Sequence, residues 1–560
     1  MRLSPKGQEE SDQDPHRPVV RVEKHVTTLP NERQSLGARD VPTTAAGADP
    51  PAPPRHTSTS NSAPSNVSSP APSSVACGQA TSPWTSLATP SASPEIDTAA
   101  ILKDAVDQVQ RLRLQTIAAA TITENVHLPP ELCRKWIESY FTHMQTEMFV
   151  SLVNLKLIKL MPDLIDLPHV HLDPAILVVY YGILYHGCGL SASFEGDSEG
   201  LHYARMLYLC CLRSLPLWQR EATGTTTDFI AAIFMCRAAA ECFDEELSWR
   251  MYTYACDYAQ KLDFHNLDAH PHSSSVLLDQ AKLDTDRKGF WEMIQIDYFF
   301  RLLFNKPPSM TSQINSWKVN LPWLSAENTP DINAVSTVAF LASSRQTFVL
   351  SQFYQELENT HCDEEEMRPK TEELCREINR IFEAWDIEGW VQRTMSSENK
   401  AEAWMMSDVA LSGYTYIIFM LRKLSVLRSN SPRPVMSDAD VPDSPLAVDA
   451  SRRILTVVHL TLMSNPFPET MCVLFGMYRL YVAYACLMNS VLHAPDVRAH
   501  ADDVALLESV CDVMALASRG ERDFVPLIRA IQSLGVEVKR RFNEPGTNAP
   551  TPMFGLGTGL

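Results

Sequence analysis

The chain has 560 residues, enough for a large buried core, and its 45% apolar and 21% charged residues are typical of an ordinary soluble globular protein. Its formal net charge of −19 argues against nucleic-acid binding spread over the whole chain, because phosphate binders normally present a basic patch or stripe. The thirteen cysteines are an odd number and lie scattered through apolar segments, which favours buried reduced thiols over a disulfide framework.

The two ends of the chain differ in composition from the middle. Residues 1–97 are rich in proline and serine and have almost no periodic apolar pattern. Such a segment cannot bury enough apolar surface to offset its chain entropy, so we expect a disordered linker. Its eight Lys or Arg and ten Asp or Glu residues do not make a basic arm, and its first residues lack the apolar core of a secretory signal. The tail 544–560 is also predicted to be disordered.

Helical periodicity dominates from Ile101 onward, and alternating runs typical of strands are scarce. The pattern predicts an all-α domain over 98–543 that begins with a short amphipathic helix from Leu102 to Leu112. Pro129-Pro130 then marks the start of a second helix. Further helices are predicted over 174–187, 199–213, 226–242, 247–262, 286–304, 333–358, 370–396, 402–428, 446–463, 468–492, 500–517 and 523–542.

Two apolar stretches, 173–195 and 472–492, approach the length of a membrane span. The first contains a proline, three glycines, a histidine and two serines, and the second is interrupted by Arg479. Neither is a clean run of about 20 apolar residues. We interpret both as buried core helices and predict no membrane partner.

Motifs of known catalytic chemistry are missing from the sequence. The chain has no HExxH, no GxSxG and no phosphate loop of the GxxxxGK[ST] type. The acidic runs Asp244-Glu245-Glu246 and Asp363 to Glu366 point around a helix, and Asp502-Asp503 lacks the further acid that a Mg²⁺ site of the terpenoid-cyclase type needs. We interpret these acids as solvated faces or helix starts, and predict that the chain is not an enzyme.

Metal-ligand spacing is equally sparse. No CxxC occurs, and the adjacent pair Cys210-Cys211 suits two faces of a helix better than one metal ion. The histidines His265, His270 and His272 have a spacing that can bind a metal, but without cysteine or carboxylate partners they are more typical of a surface loop. We therefore predict no metal and no cofactor on this chain.

The most specific stretch runs from Leu247 to Trp323. A helix there ends in a turn that contains a leucine and a histidine. A triplet of one acidic and two basic residues follows. The next helix carries a tryptophan and an aspartate. The stretch closes with a lysine–proline turn and a short segment ending in proline. The residues that carry this order are Trp249, Leu262, His265, Asp286, Arg287, Lys288, Trp291, Asp297, Asn305, Lys306, Pro307 and Pro322.

This order resembles the middle homology region of fungal zinc-cluster transcription factors. It is firmest over residues 247–323 and extends more loosely, as a run of helices, from about 130 to 540. One departure is Asn305-Lys306-Pro307, where the family usually has Gly-Arg-Pro. The change is chemically mild, since asparagine tolerates left-handed geometry and lysine keeps the charge. The resemblance implies a regulatory domain in a nuclear transcription regulator.

The residues of this stretch are expected to be structural. Asp284 or Asp286 is predicted to cap the helix that follows. Trp291, Ile294, Tyr298 and Leu302 recur at helical spacing and are expected to bury one face. Asp297 and Arg301, four residues apart, are predicted to pair, and Lys306-Pro307-Pro308 to stop the helix.

The family usually carries six cysteines that bind two zinc ions in an N-terminal DNA-reading module, and this sequence has none of them. Two interpretations stay open: the gene model has lost a first exon, or the protein works without its own DNA reader. Zinc is expected only with such a missing cluster. Promoter DNA is then reached indirectly, through missing sequence or through a homo- or heterodimer with another transcription factor.

The resemblance further implies control of a fungal metabolic or secondary-metabolite gene cluster. Two alternatives from other classes stay open, an all-helical enzyme of unknown substrate and an interaction protein that titrates a partner regulator.

Overall fold

Seventeen α-helices and several short 3₁₀ turns account for most of the chain that the computed structural model describes, and no strand occurs there. The prediction of an all-α fold is confirmed. The described residues are 97–144, 148–195, 198–269, 277–311, 316–322, 334–359, 364–397, 399–428, 441–494 and 496–543.

The helices follow one another through short connections, and we number them in chain order. They are α1 Thr98–Thr123, α2 Pro130–His143, α3 Leu155–Leu164, α4 Pro174–Glu195, α5 Ser198–Glu221, α6 Thr226–Glu241, α7 Glu245–Lys261, α8 Leu277–Leu303, α9 Ala334–Asn359, α10 Glu364–Ala384, α11 Ile387–Met395, α12 Lys400–Arg428, α13 Pro445–Ser464, α14 Pro468–Gly476, α15 Leu480–Leu492, α16 Ala501–Ala517 and α17 Val525–Asn543.

The predicted disordered segments 1–97 and 544–560 lie outside the described residues, except for Asp97. The Asp97 side chain accepts a hydrogen bond from the backbone N of Ala100 at 2.9 Å and so caps the first helix. The helical region that begins here coincides with the start predicted from the apolar pattern.

Helix starts follow local sequence chemistry. The α6 start has a capping box, in which the Thr225 hydroxyl and the Asp228 carboxylate each accept from the other residue's backbone N–H. Pro130, Pro445 and Pro468 occupy the first position of α2, α13 and α14, where a helix does not need their missing N–H.

Two predicted helices are broken in the structure. The predicted helix 370–396 is divided at Asp386 and the predicted helix 468–492 is divided at Arg479, where φ is 48° and 49° respectively. A left-handed residue ends the helical hydrogen-bond pattern, and the apolar periodicity on either side carries no sign of it. The short helix α3 was not predicted at all, and it contains Pro162.

The helices form two groups around one core. In the first group α4 packs against α2, α5 and α6, and α7 packs against α6. In the second, α12 packs against α9, α10, α11 and α13, and α13 against α15 and α16. Helix α1 contacts α5, α15 and α17, and α14 contacts α6 and α15. Helix α8 contacts α9 and α12, and its Phe300 packs against Trp249 of α7. These three helices join the groups, and all described residues lie in one compact unit.

The apolar stretches considered as membrane spans are parts of this core. In α4, Val178, Ile183 and Leu184 are fully buried or nearly so, and each such side chain contributes roughly 1.5–3 kcal/mol through burial. Among the described residues no single helix is long and apolar enough to span a membrane. Helices α14 and α15 reach the length and apolar character of a membrane span only when they are counted together, and the chain bends by 75° between them.

Candidate functional site

Helix α8 and the segments beside it contain most of the residues that carry the family resemblance. Asp297 of this helix is completely buried. Its carboxylate accepts hydrogen bonds from the backbone N of Ser309, Met310 and Thr311 at 3.0, 3.2 and 2.9 Å, and from the Thr311 hydroxyl at 2.7 Å. Asp297 thus holds the turn that follows the helix.

The predicted pairing of Asp297 with Arg301 is wrong. Arg301 pairs with Glu358 of α9, and its guanidinium lies 3.7 Å from the ring centre of Tyr354. The buried carboxylate of Asp297 is instead satisfied by three backbone N–H groups and a hydroxyl. The prediction assumed only that residues four apart on one helix pair, and that spacing says nothing about donors from a following turn.

Arg287 ties α8 to the segment before Pro322. Its guanidinium contacts both carboxylate oxygens of Asp268, and it donates to Asp284 at 2.7 Å. Asp268 also accepts from the backbone N of Asn320 at 2.7 Å. The fork of Arg287 therefore orients a carboxylate that holds a second backbone segment.

Asp284 and Asp286 do not cap α8, because that helix begins at Leu277. The Asp286 carboxyl lies 3.5 Å from the Ser151 hydroxyl and is 8% exposed. Burial raises the pKa of Asp286, against the opposing effects of Lys282 and Ser151. The triplet thus makes side-chain contacts in the middle of a helix, and is not a start signal.

Of the two tryptophans that carry the resemblance, Trp249 packs on α8 and Trp291 belongs to α8. The Trp249 ring lies 5.2 Å from that of Phe300, and the Trp291 indole N–H donates to the backbone O of Asn320 at 3.1 Å. The predicted buried face of α8 is confirmed at Ile294, Tyr298 and Leu302, whereas Trp291 is only partly buried.

The remaining residues of the resemblance lie at turns. Leu262 ends α7, and Nε2 of His265, in the 3₁₀ turn after it, lies 3.7 Å from a carboxylate oxygen of Asp263. Helix α8 ends just before the predicted stop. Asn305 has a left-handed φ of 53°, Lys306 donates to Glu246 at 2.6 Å, Pro307 is exposed and Pro322 is buried.

A cavity of about 820 Å³ lies between the two helix groups and has room for a ligand. Most of its walls come from α1, α4, α6, α8, α9, α12 and α14. Smaller contributions come from α2, α5, α7, α15 and the connections on either side of α14. Of the residues that carry the resemblance, only Lys288 and Asn305 line this cavity. The volume lies within the range of pockets that enclose drug-sized molecules.

Two long helices present regular stripes to the cavity. From α8 the lining side chains are Lys288, Glu292, Gln295, Ile296, Phe299, Phe300 and Leu303, which recur three or four residues apart. That spacing places them on one face of the helix. From α12 the stripe consists of Lys400, Ala401, Trp404, Met405, Asp408, Val409, Ser412 and Tyr416.

Charged groups in the wall pair with one another. Lys103 and Asp107 of α1 are 2.6 Å apart, and Lys288 contacts both Glu292 and the ring of Phe340. These two pairs join charged groups within the wall, whereas Lys400 donates to the hydroxyl of Ser464.

The left-handed Arg479 connects the two helix groups across the cavity. Its guanidinium donates to Glu245 at 3.2 Å and lies 4.4 Å from the ring centre of Phe304. Beside it the hydroxyl of Tyr478 donates to Asp408. These contacts fix the side chains at the break between α14 and α15, where Arg479 is left-handed.

Among the described His, Lys and Arg residues that line the cavity, His186 is the most deeply buried, with 8% of its surface exposed. Its Nδ1 lies 3.6 Å from a carboxylate oxygen of Glu241, and its ring contacts Tyr140 and Phe234. Burial lowers the pKa of His186 well below its usual value, and the charge of Arg237 lowers it further. The imidazole is therefore neutral.

Cys236 is the cysteine that lines the cavity. Burial raises the pKa of its thiol to about 11, although Ser248 and Arg237 oppose the shift. A thiol with so high a pKa holds almost no thiolate at neutral pH, and the thiolate is the reactive form. Cys236 is thus a packing residue.

Among the described residues no group of three or more His, Cys, Asp or Glu side chains converges as a metal site. The pair His270 and His272 lies outside the described residues. The acidic runs occur at helix starts as interpreted from the sequence: Asp244 caps α7 by accepting from the backbone N of Leu247, and Asp502 lies in the first turn of α16.

The short basic runs are largely neutralised by carboxylates. Arg113 is close to Glu469 and Glu521, and Arg540 and Arg541 both contact Glu537. Hydrogen bonds from Arg540 and Arg541 lower the pKa of Glu537 to about 2, although burial opposes this shift. Neither run presents an unpaired cationic stripe in the described part of the chain.

No protein-family model, no curated protein and no solved structure matches this chain.

Proposed function

We propose that this chain is the regulatory domain of a nuclear transcription regulator of the fungal zinc-cluster type, with DNA reading supplied by other sequence or by a partner. The proposal rests on the ordered set of residues between Trp249 and Pro322 that resembles the middle homology region of that family.

The observation that supports it best is the way these residues act together. Asp297 holds the turn after α8, Arg287 holds Asp268, and Asp268 and the Trp291 indole hold the backbone of Asn320. An ordered motif that recurs for structural reasons is expected to form such a connected unit. Unrelated residues that only happen to match a pattern have no reason to do so.

A regulatory domain needs a stable scaffold that senses or binds something, and the cavity between the helix groups offers the space. Target genes are proposed to be those of a metabolic or secondary-metabolite cluster, as the resemblance implies. The domain is proposed to act as a homo- or heterodimer with a transcription factor.

An all-helical enzyme is the second candidate, because His186 beside Glu241 in a large cavity is an arrangement that can hold a substrate and accept a proton. An efficient general base has a pKa near the working pH. The pKa of His186 lies well below that range because of burial, which makes it a weak base.

The test is promoter occupancy and transcription in the fungal cell that expresses the protein. We expect chromatin immunoprecipitation of the tagged full chain to recover a small set of promoters, whose transcripts change when the gene is deleted. Changed transcripts without promoter occupancy favour a partner-titrating protein. Turnover of a small molecule by the purified chain, abolished in His186→Phe, favours the enzyme.

A further inference from the structure

The wall of the cavity contains many charged groups, and most of them are paired within the protein. Three ion pairs join lining residues to one another: Lys103 with Asp107, Lys288 with Glu292 and Arg479 with Glu245. Breaking a partly buried ion pair is costly, because it leaves one charge without its partner. A ligand is therefore expected to leave these pairs intact.

Two further charged residues of the wall also have an opposite charge nearby. Arg237 lies one turn of α6 before Glu241, and both line the cavity. Glu469 of α14 lies 3.6 Å from Arg113 of α1. These residues add polarity to the wall, but their charges are compensated inside the protein.

Lys400, at the start of α12, differs from these lining cations. Its ammonium donates to the hydroxyl of Ser464 at 3.0 Å, and the described residues give it no carboxylate partner. The side chain is only partly buried. An ammonium has three donors, so one neutral acceptor leaves room for a stronger partner. A carboxylate is such a partner, because a hydrogen bond between charged groups is roughly twice as strong as a neutral one.

The face of α12 that begins at Lys400 limits the charge of the ligand. Trp404 and Asp408 follow at intervals of four residues on the same face. A rise of 1.5 Å per residue places Asp408 about 12 Å along the helix from Lys400. The Asp408 carboxylate accepts a hydrogen bond from the hydroxyl of Tyr478. A second negative charge on the ligand is repelled there, so one carboxylate at the Lys400 end fits best.

The rest of the wall suits an aromatic body with a few polar substituents. Phe299 of α8 and Trp404 and Met405 of α12 line the cavity and are partly exposed. Aromatic rings and thioether chains pack well against flat apolar groups. Gln295 of α8 and Ser336 of α9, also partly exposed, add hydrogen-bonding groups to the same wall.

We propose that the cavity between the two helix groups binds an aromatic monocarboxylate, whose carboxylate pairs with Lys400 and whose ring packs along α12 at Trp404. This inference rests on the proposed regulatory function, because such an acid would be the effector that the domain senses. Since α1, α8 and α14 contact both helix groups, a ligand between the groups stabilises the arrangement in which they are joined.

The experiment uses the full-length purified chain and three fluorescent probes that differ only in their end group: 1-pyrenebutyrate, 1-pyrenebutanol and 1-pyrenebutylamine. We expect saturable binding of the butyrate that is about tenfold tighter than binding of the alcohol, which is the effect of one hydrogen bond between charged groups. The amine is expected to bind more weakly than the butyrate. Binding of the alcohol or the amine as tight as that of the butyrate, or no saturable binding of the butyrate, overturns the proposal.

Variants locate the carboxylate. Lys400→Met keeps the length of the side chain but removes its charge. It is expected to weaken butyrate binding about tenfold and to change alcohol binding less than about twofold. Lys156→Met on α3 is the matched control, because Lys156 is exposed and does not line the cavity, and it is expected to bind like the wild type. Circular dichroism checks that each variant is folded. If Lys400→Met does not fold, Lys400→Gln is measured against the same probes.

A preference for the butyrate that survives in a folded Lys400 variant places the carboxylate elsewhere and contradicts the proposal. An equal loss of that preference in Lys156→Met does the same. Binding is read without any transcriptional output. The proposal can therefore fail while promoter occupancy is observed, and the proposed regulatory function can fail while the probes bind.

Discussion

Asp297 and Thr311 are joined by two hydrogen bonds, from the backbone N at 2.9 Å and from the hydroxyl at 2.7 Å, at a position where the carboxylate is fully buried. The bonds close the turn after α8 onto the helix itself. Because this carboxylate is the acceptor for the backbone N–H groups of Ser309, Met310 and Thr311, its removal leaves these groups without their partner.

Asp297→Ala is therefore expected to lower the free energy of unfolding by about 3 kcal/mol or more, since each unsatisfied buried donor costs roughly 1–3 kcal/mol. The measurement is urea unfolding followed by circular dichroism. Asp257→Ala on the exposed face of α7 is the control and is expected to change stability by less than about 0.5 kcal/mol. A loss at Asp297 no larger than that of the control contradicts this role.

Arg287→Lys is expected to loosen the segment around Asn320 without unfolding the protein. Lysine keeps the charge but loses the fork that contacts Asp268 and Asp284, at a cost of about 1–2 kcal/mol. Hydrogen exchange read by mass spectrometry is expected to rise in residues 316–322, with little change in α12. Arg250→Lys, at an exposed position on α7, serves as the comparison. If hydrogen exchange in residues 316–322 is the same in Arg287→Lys as in Arg250→Lys, the prediction is wrong.

Asp503 provides a test of pH dependence. Burial alone raises the pKa of this carboxyl, but hydrogen bonds from Arg452 at 2.6 Å and from His500 outweigh it and leave the pKa lowered. A carboxyl with a lower pKa in the folded state stabilises the protein above its unfolded pKa, which is about 3.9 for Asp. That contribution is lost as the pH falls through the folded value.

Asp503→Asn is accordingly expected to destabilise the protein by about 1–2 kcal/mol at pH 7, a figure reduced because Arg452 is partly exposed. The difference from the wild type is expected to shrink as the pH falls below about 4. Urea unfolding at several pH values measures it, with Asp512→Asn on the exposed face of α16 as the control. A difference that grows on acidification shows the sign to be wrong.

The polypeptide 1–560 is expected to bind DNA without sequence selectivity. Its net charge is −19, and the basic runs near Arg113 and Arg540 already contact carboxylates. Few phosphate contacts give weak affinity that falls steeply with salt. Fluorescence anisotropy against a promoter library at about 0.15 M salt, the physiological strength, is the measurement. Nanomolar binding that discriminates promoter from scrambled DNA overturns the prediction.

The sequence was a good guide to the helices, because helix formation on a core depends on a local apolar period of 3.6 residues. The buried face of α8 at Ile294, Tyr298 and Leu302 was predicted for this reason and is confirmed. The breaks at Asp386 and Arg479 were not predicted, since a left-handed residue leaves the apolar pattern on both sides intact. The guanidinium of Arg479 contacts Glu245 and Phe304, which lie far away in the chain and which local periodicity does not reveal.

The stripe of α8 that lines the cavity was present in the sequence as well. Lys288, Glu292, Gln295 and Phe299 have ordinary helical spacing, and the same spacing occurs on any helix face that meets another element. Only the position of the opposing helices separates a packed face from one that borders an open space. Periodicity alone thus had no means of finding the cavity.

The sequence by itself determined the helical class, most helix positions and the buried face of α8. These properties depend on neighbours within a few helical turns. The tertiary structure alone decided that Asp297 binds the turn at Thr311 rather than Arg301, and that His186 lies beside Glu241 on the wall of a cavity. These contacts join residues from different helices. Their free energy depends on burial and on the partners that folding brings within a few ångströms, which linear spacing does not encode.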